Sequence, residues 1–325
     1  MARNNKQITG TLAKEYCKKF QTSATREIAR ALITDHPECF RDIEHARSVV
    51  RYYRGALGDT KRKDAKEIIP RVIIPKADKQ SDFTPYKITE FPIAVCGDMH
   101  MPYHDEQAIQ LFIDHCYKIQ PKTILLCGDD LDCYQLSRFS KNPKFRDFPA
   151  EVAMMKSFLI SLHEAFPKAK IVYKVGNHEE RYEKYLQEHA PALFGLDEIT
   201  LQNLIGATEP WIDYVDNKRV ITAKKLHIIH GHEYVFAISN PVNPARGLYT
   251  RAKKSAMCFH FHQTSEHSET AINGDLATCW SVGCLCDLHP KYMPLNKWNH
   301  GFADVFEDGD GFLVHNYRIL NGKVL

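Results

Sequence analysis

Cys96-Gly97-Asp98-Met99-His100 closes a short apolar run that begins at Pro92. A run of this length stopped by Gly-Asp reads as a buried strand entering a turn. The same figure recurs downstream. Cys127-Gly128-Asp129-Asp130 ends Thr123–Cys127, Val175-Gly176-Asn177-His178-Glu179 ends Ile171–Val175, and Ile229-His230-Gly231-His232 ends Leu226–His230. Phe259-His260-Phe261-His262 ends Ala256–Phe261. Helical patterns at Glu106–Gln120 and Val152–Phe166 fill the first two gaps, so the order is βαβαβ. That order predicts an α/β fold with a mainly parallel sheet flanked by helices. The polar motif residues fall just past the C-terminal strand ends, where open α/β sheets place their ligands.

Asp, His and Asn at these positions offer mixed nitrogen and oxygen donors, which suit Mn²⁺, Fe or Zn²⁺ better than Ca²⁺ or Mg²⁺. No Cys occupies a donor position of the motifs, so an open catalytic site is expected rather than a closed structural zinc.

The series DxH, GD, GNHE, HGH, HxH resembles the calcineurin-like metallophosphoesterase superfamily, and the resemblance spans roughly Phe91 to Phe261. It implies a metallophosphoesterase-type β-sandwich with flanking helices, and hydrolysis of a phosphoester by a water activated between two divalent ions. Asp98, His100 and His262 would bind one ion, Asn177, His230 and His260 the other, and Asp129 would bridge them. His178 is the catalytic candidate, protonating the leaving oxygen or steadying the phosphate. Metal binding can lower the pKa of water from about 15.7 to about 7. The metal is expected to be Mn²⁺, with Fe or Zn²⁺ as alternatives. His232 is open between an alternative ligand and a group that supports one. Asp105, Asp130 and Asp132 read as turn or cap residues, with orientation of a ligating imidazole as the other option. Arg138 and Arg181 are candidates for phosphate contacts.

Departures from the family pattern narrow the substrate. Phe259 stands where Gly usually precedes HxH. Asp132 is followed by Cys133-Tyr134, where the protein phosphatase branch has Arg-Gly, and it occupies the position of the purple acid branch's ligating Tyr. The expectation is a phosphodiesterase acting on nucleic acid or a nucleotide. A monoesterase on a nucleotide or phosphoprotein, and a nucleic-acid-binding regulator or scaffold on this fold, are the alternatives.

The 325 residues allow one large domain plus a small one, and 44% hydrophobic with 26% charged residues is ordinary for a globular protein. No apolar stretch approaches the roughly 18 residues of a membrane span, and the polar start lacks a signal peptide's apolar region, so a cytoplasmic location is expected. The ten cysteines contain no CxxC pair and read as reduced, buried thiols.

Charge is uneven. Residues 1–66 hold 15 Lys and Arg against 8 Asp and Glu, and the remainder 28 against 32. Periodicity from Ile8 to about Leu57 predicts three helices, the second capped by Thr22 or Ser23. The third carries Arg47, Arg51 and Arg54 on its outer side, which reads either as a helix-turn-helix module for DNA or RNA or as the solvated arginine face of a small helical cap. The expected domains are a basic helical one at 1–66, a linker at 67–86 containing Pro70, Pro75 and Pro85, and a catalytic one at 87–325. Ala303–Ile319 reads as a hairpin turning at Asp308-Gly309-Asp310-Gly311. Phe236–Lys254 reads as a long loop between metal motifs.

Overall fold

The structure is a computed structural model describing residues 2–55, 74–78, 83–138, 147–216, 218–234 and 241–325. Lys61-Arg62-Lys63-Asp64-Ala65-Lys66, the basic stretch that ends the expected helical domain, lies outside these. Two compact units are present, 1–78 and 79–325.

In the first unit, α1 (Ala2–Lys19), α2 (Thr25–Asp35) and α3 (Ile43–Tyr53) bury Ala13, Cys17, Ile28, Leu32, Ala46 and Val50 against one another. The first helix starts at Ala2 rather than Ile8, because its opening turns are polar and leave no apolar stripe to read. Gly10 sits where a Cβ would collide with the Tyr53 hydroxyl, so α1 and α3 pack closely there. Neither Thr22 nor Ser23 caps α2. The cap position is Ala24, and the Glu27 carboxylate reaches back to accept from the Ala24 amide at 2.9 Å. Asp42 caps α3, accepting from the His45 amide at 2.7 Å, an interaction typically worth about 1 kcal/mol.

Arg54 does not belong to an outer arginine face. Its guanidinium donates to the carbonyls of Phe20 and Gln21 at 3.1 and 3.2 Å, just past the end of α1. Arg47 meets Glu44 at 3.3 Å, and Arg51 is exposed.

The second unit is a sandwich of two sheets. In the seven-stranded sheet, β2 (Ile93–Cys96), β3 (Thr123–Leu126), β4 (Lys170–Lys174) and β5 (Ile212–Val215) run parallel. The antiparallel β11 (Gly301–Asp308), β12 (Gly311–Leu320) and β13 (Lys323–Val324) extend it beyond β2. The six-stranded sheet has the order β1 (Tyr86–Ile88), β6 (Ile221–Ala223), β7 (Leu226–Ile228), β8 (Ala256–Cys258), β10 (Leu276–Ser281) and β9 (Ser265–Thr270). Both faces of β2, β3 and the centre of β4 are buried, which is why their sequences are apolar runs, whereas β5 at the sheet edge carries Asp213. Ala94, Cys96, Ile124, Leu126, Ile171 and Tyr173 belong to the helix-covered core with α4 (Glu106–Ile119) and α5 (Phe148–Ala165). Ile93, Val95, Leu125 and Val172 meet Ile228, Met257 and Trp280 of the opposite sheet.

The stretch expected to be a long loop between metal motifs contains α8 (Pro244–Ala252). Asn243 caps it by accepting from the Arg246 amide at 3.0 Å, and Pro244 opens its first turn. Residues 235–240 of that stretch are not among those described. Between Glu180 and Asp216 lie α6 (Glu180–His189), the short α7 (Leu201–Leu204) and β5.

Candidate metal centre

Register decides where the motifs meet. Cys96 pairs with Leu126 and Leu126 with Tyr173, so β2, β3 and β4 end level and release their turns at one edge. The turns after β7 and β8 arrive from the opposite sheet, with the Phe259 amide on the His230 carbonyl at 2.7 Å. Phe259 itself is fully buried in the sandwich core, its ring against Gly97.

The backbone is forced at these turns. Asp98, His100, Asp129, His260 and His262 all lie at positive φ, between 50° and 71°. Such conformations disfavour side chains with a Cβ and persist where the surroundings impose them. Gly176 is required because a Cβ there would overlap the Asp129 carboxylate and amide. Glu179 ties the turns together. Its buried carboxylate accepts from the amides of Asp129, Asp130, Leu131 and Gly176 at 2.8–3.0 Å and from the Tyr173 hydroxyl at 3.1 Å.

The expected ligands fall into two donor groups that share one member. Asp98, His100 and Asp129 each place a donor atom within 4.8 Å of the others, as do Asp129, His230 and His260. His262 Nε2 lies 3.5 Å from Asp98 Oδ1 and 3.3 Å from His100 Nε2. His230 Nε2 approaches Asp129 Oδ2 at 3.2 Å and Asp98 Oδ1 at 3.9 Å. Asn177 lies between Gly176, where a Cβ would meet Asp129, and His178, whose amide donates to Asp129 Oδ1. Burial alone would raise the Asp129 carboxyl, but His230 and His178 hold it well below its usual range. Burial drives His260 down to about 4, with His230 adding to the effect.

Among the described residues, Asp98 Oδ1, Asn177 Oδ1 and His230 Nε2 are buried and lack a hydrogen-bond partner. An unsatisfied buried polar atom costs about 1–3 kcal/mol, more if charged. Each of the three is a lone-pair donor on a residue expected to bind metal, so divalent cations fit this set.

Of the two readings the sequence allows for Asp132, a turn residue or a support for an imidazole, the geometry matches the second. Its carboxylate contacts His100 Nδ1 at 3.0 Å and His178 Nδ1 at 3.2 Å. Asp105, by contrast, is a cap, accepting from the Ala108 amide at 2.7 Å. Asp130 is fully buried, and burial pushes its carboxyl well above the ordinary value. Arg138 is exposed, whereas Arg181 donates to the Asp132 carbonyl at 2.8 Å and meets His178 Nε2 at 2.8 Å.

His178 is held from three sides. Its amide donates to Asp129 Oδ1 at 2.8 Å, its Nδ1 lies 2.9 Å from the Asp132 carbonyl, and its Nε2 faces Arg181. Burial opposes a proton on this ring, Asp129 and Asp132 favour one, and the balance lies above the ordinary value. Arg181 can donate only into an unprotonated Nε2, so its contact there, with Nδ1 on the Asp132 carbonyl, corresponds to the Nδ1–H form of the ring.

His232 is bound elsewhere, with Nε2 on Glu180 Oε1 at 2.9 Å. The following Glu233 accepts from the amides of His230 and Gly231 and meets the fully buried Lys174 at 2.9 Å. Outside the donors runs an aromatic rim. Trp298 meets the His262 ring edge-on at 4.2 Å, and Tyr292, 70% exposed, lies 6.3 Å beyond Trp298.

Glu151, which accepts from the Cys133 amide at 3.0 Å, is pushed from 4.5 to about 8 by burial and by Asp132. Between those pH values the folded chain keeps a proton that the unfolded chain releases, so this group lowers stability as pH rises through the window. Glu151→Gln keeps the acceptor and removes the titration. It should unfold at a higher temperature than the native chain at pH 9, by up to roughly 4–5 kcal/mol of stability, with the gap closing below pH 5. Parallel melting curves at pH 9 would sink this assignment.

The chain resembles known proteins in sequence and in structure. It is 26% identical over 243 residues to the "Gene 54 protein" of Mycobacterium phage L5, covering 71% of this chain and 94% of that protein. Among solved structures it is similar to vacuolar protein sorting 29 of Cryptosporidium parvum (TM-score 0.41, 13% identity, 73% of this chain and 95% of that one). Another is a dimetal phosphatase from Danio rerio (TM-score 0.38, 10% identity, 70% and 96%). The calcineurin-like phosphoesterase family model matches residues 91–258, just over half of the chain. On that match the chain belongs to the calcineurin-like phosphoesterases, metal-dependent hydrolases of phosphoester bonds.

Proposed function

We propose that this hydrolase cleaves a phosphodiester in nucleic acid or a nucleotide, using two divalent ions, with Mn²⁺ as the preferred metal. The observation that carries a paired site is Asp129, which is common to both donor groups. Asp98, His100 and His262 would complete the shell of one ion, and Asn177, His230 and His260 that of the other. When bound, such ions polarise a phosphoryl oxygen and acidify an attacking water. The chain's own part is orientation and proton supply. Asp132 holds both His100 and His178, and Arg181 offers donors to phosphate oxygens once it leaves His178.

His178→Ala should therefore leave metal content intact and lower turnover by about 10²–10⁴-fold. Elemental analysis showing a lost ion would make His178 a ligand and end its acid role.

Three features favour a diester bearing bases. No arginine follows Asp132, and Cys133 is instead buried with its amide on Glu151. The rim of Trp298 and Tyr292 offers aromatic surface for stacking. The basic N-terminal unit, proposed as a separate domain, gives a polyanion a second foothold. Neutralising Arg47 and Arg51 should weaken DNA binding and flatten its salt dependence by about 0.9 log units for each phosphate no longer neutralised. Arg54→Ala should lower the melting temperature of the helical unit instead, since its donors serve two backbone carbonyls. An unchanged salt slope in the double variant would remove nucleic acid from the proposal.

The deciding experiment is a metal-by-substrate panel of bis-p-nitrophenyl phosphate, p-nitrophenyl phosphate, single- and double-stranded DNA, and RNA. The reading expects diesters to be turned over faster than the monoester. Monoester hydrolysis alone would overturn it.

A further inference from the structure

We propose that Cys286 is a positioning residue whose sulfur orients His262, so that one imidazole of the metal centre is backed by a thiol where its neighbours are backed by oxygen. The inference rests on the metal-centre reading above. Three rings turn Nε2 inward. His100 Nε2 is 4.0 Å and His262 Nε2 is 3.5 Å from Asp98 Oδ1, and His230 Nε2 is 3.2 Å from Asp129 Oδ2. A ring nitrogen can hold a cation only through a free lone pair, so the proton must sit on Nδ1, and that N–H needs an acceptor. For His100 the acceptor is Asp132 Oδ1 at 3.0 Å, and for His230 it is the Cys127 carbonyl at 2.9 Å. For His262 it is Cys286 Sγ at 3.8 Å, with the Cys284 thiol as a second partner of the same ring.

The sulfur is well placed to serve. Cys286 is 3% exposed, and its carbonyl is held by His300 Nε2 at 2.8 Å. It also bridges to His104, so its backbone is anchored from two directions. Trp298 closes the His262 ring from another side. Sulfur is a weaker acceptor than a carboxylate. His262 is therefore the least firmly oriented of the three rings, and the ion it helps to hold is the one most sensitive to its support.

The test uses the full chain loaded with Zn²⁺. Cys286→Ala and Cys286→Val both remove that sulfur, each is also made together with Cys284→Ala so that no thiol is left beside the ring, and either carries the test if the other fails to fold. Cys286→Ser retains one. Cys279→Ser is the control, a buried cysteine of the six-stranded sheet with its sulfur on the Lys254 carbonyl at 3.4 Å. Zinc affinity is read by competition with a chromophoric chelator, and the His262 Nδ1–H by ¹H–¹⁵N spectra of ¹⁵N-histidine protein. The acceptorless variants should bind one of the two zinc ions about 10–100-fold less tightly and lose the exchange-protected Nδ1–H signal. Cys286→Ser should keep that signal, and the control should match the native chain. Native affinity with a protected Nδ1–H in an acceptorless variant overturns the proposal, as does an equal loss in the Cys279 control. A native chain that binds no divalent ion at all would instead overturn the metal centre itself.

Discussion

Asp129→Asn should strip the protein of bound metal and with it the hydrolysis of bis-p-nitrophenyl phosphate. Loss of a group that merely supports a ligand typically weakens metal binding about 10–100-fold, and this change should exceed that. Asp129 Oδ1 accepts from the His178 amide at 2.8 Å while Oδ2 faces His230 Nε2 at 3.2 Å. An amide can satisfy the first contact with its oxygen. It must then aim an NH₂ donor at the place where His230 and Asp98 present lone pairs. The substitution removes a negative charge and an acceptor from both donor groups together. Elemental analysis of the purified variant, beside Asp132→Asn, measures the difference. Two ions retained in Asp129→Asn would mean that the two groups do not share this carboxylate.

Glu179→Ala should be the most destabilising single change in the catalytic unit. Four backbone amides and one hydroxyl lose their acceptor in a place with no access to water. Each buried donor left unsatisfied costs about 1–3 kcal/mol, so the sum reaches the range in which whole domains unfold, about 5–15 kcal/mol. Urea denaturation at neutral pH checks this, and a midpoint within experimental error of the native chain would show that the amides find other partners. Glu179→Gln should fall between, since one oxygen can serve at most part of the set.

Much of this architecture is legible in the chain. Level apolar runs ending in Gly-Asp or Gly-Asn specify parallel strands buried on both faces, and their polar ends meet because the register makes them meet. Other parts lacked any signal of that kind. Asp132 looks like a turn residue until the fold brings His100 and His178 to its carboxylate from sequence distances of 32 and 46. Cys286 was legible as a buried thiol, but nothing local says which ring it touches. Glu179 stood inside a motif and still gave no hint of its four amides, which belong to two different turns. The helix Pro244–Ala252 is hidden because two Asn-Pro pairs, Asn240-Pro241 and Asn243-Pro244, read as punctuation at its start, although Asn243-Pro244 is also a cap followed by a first turn. Arg54 misled for the opposite reason. Helical spacing set it beside Arg51, while a long side chain can fold back to the carbonyls at the end of a neighbouring helix.

The left-handed backbone at Asp98, His100, Asp129, His260 and His262 has a consequence for how this fold drifts over generations. Non-glycine residues held in sparsely populated conformations carry about 1–3 kcal/mol of strain each. Glycine at any of these positions would relax the chain while deleting a donor. Natural variation filtered only for folding should therefore erode the centre first, and libraries screened for thermostability alone should return robust proteins that have lost their chemistry. On the proposed ligand assignment, selection for turnover and selection for robustness pull these five positions in opposite directions.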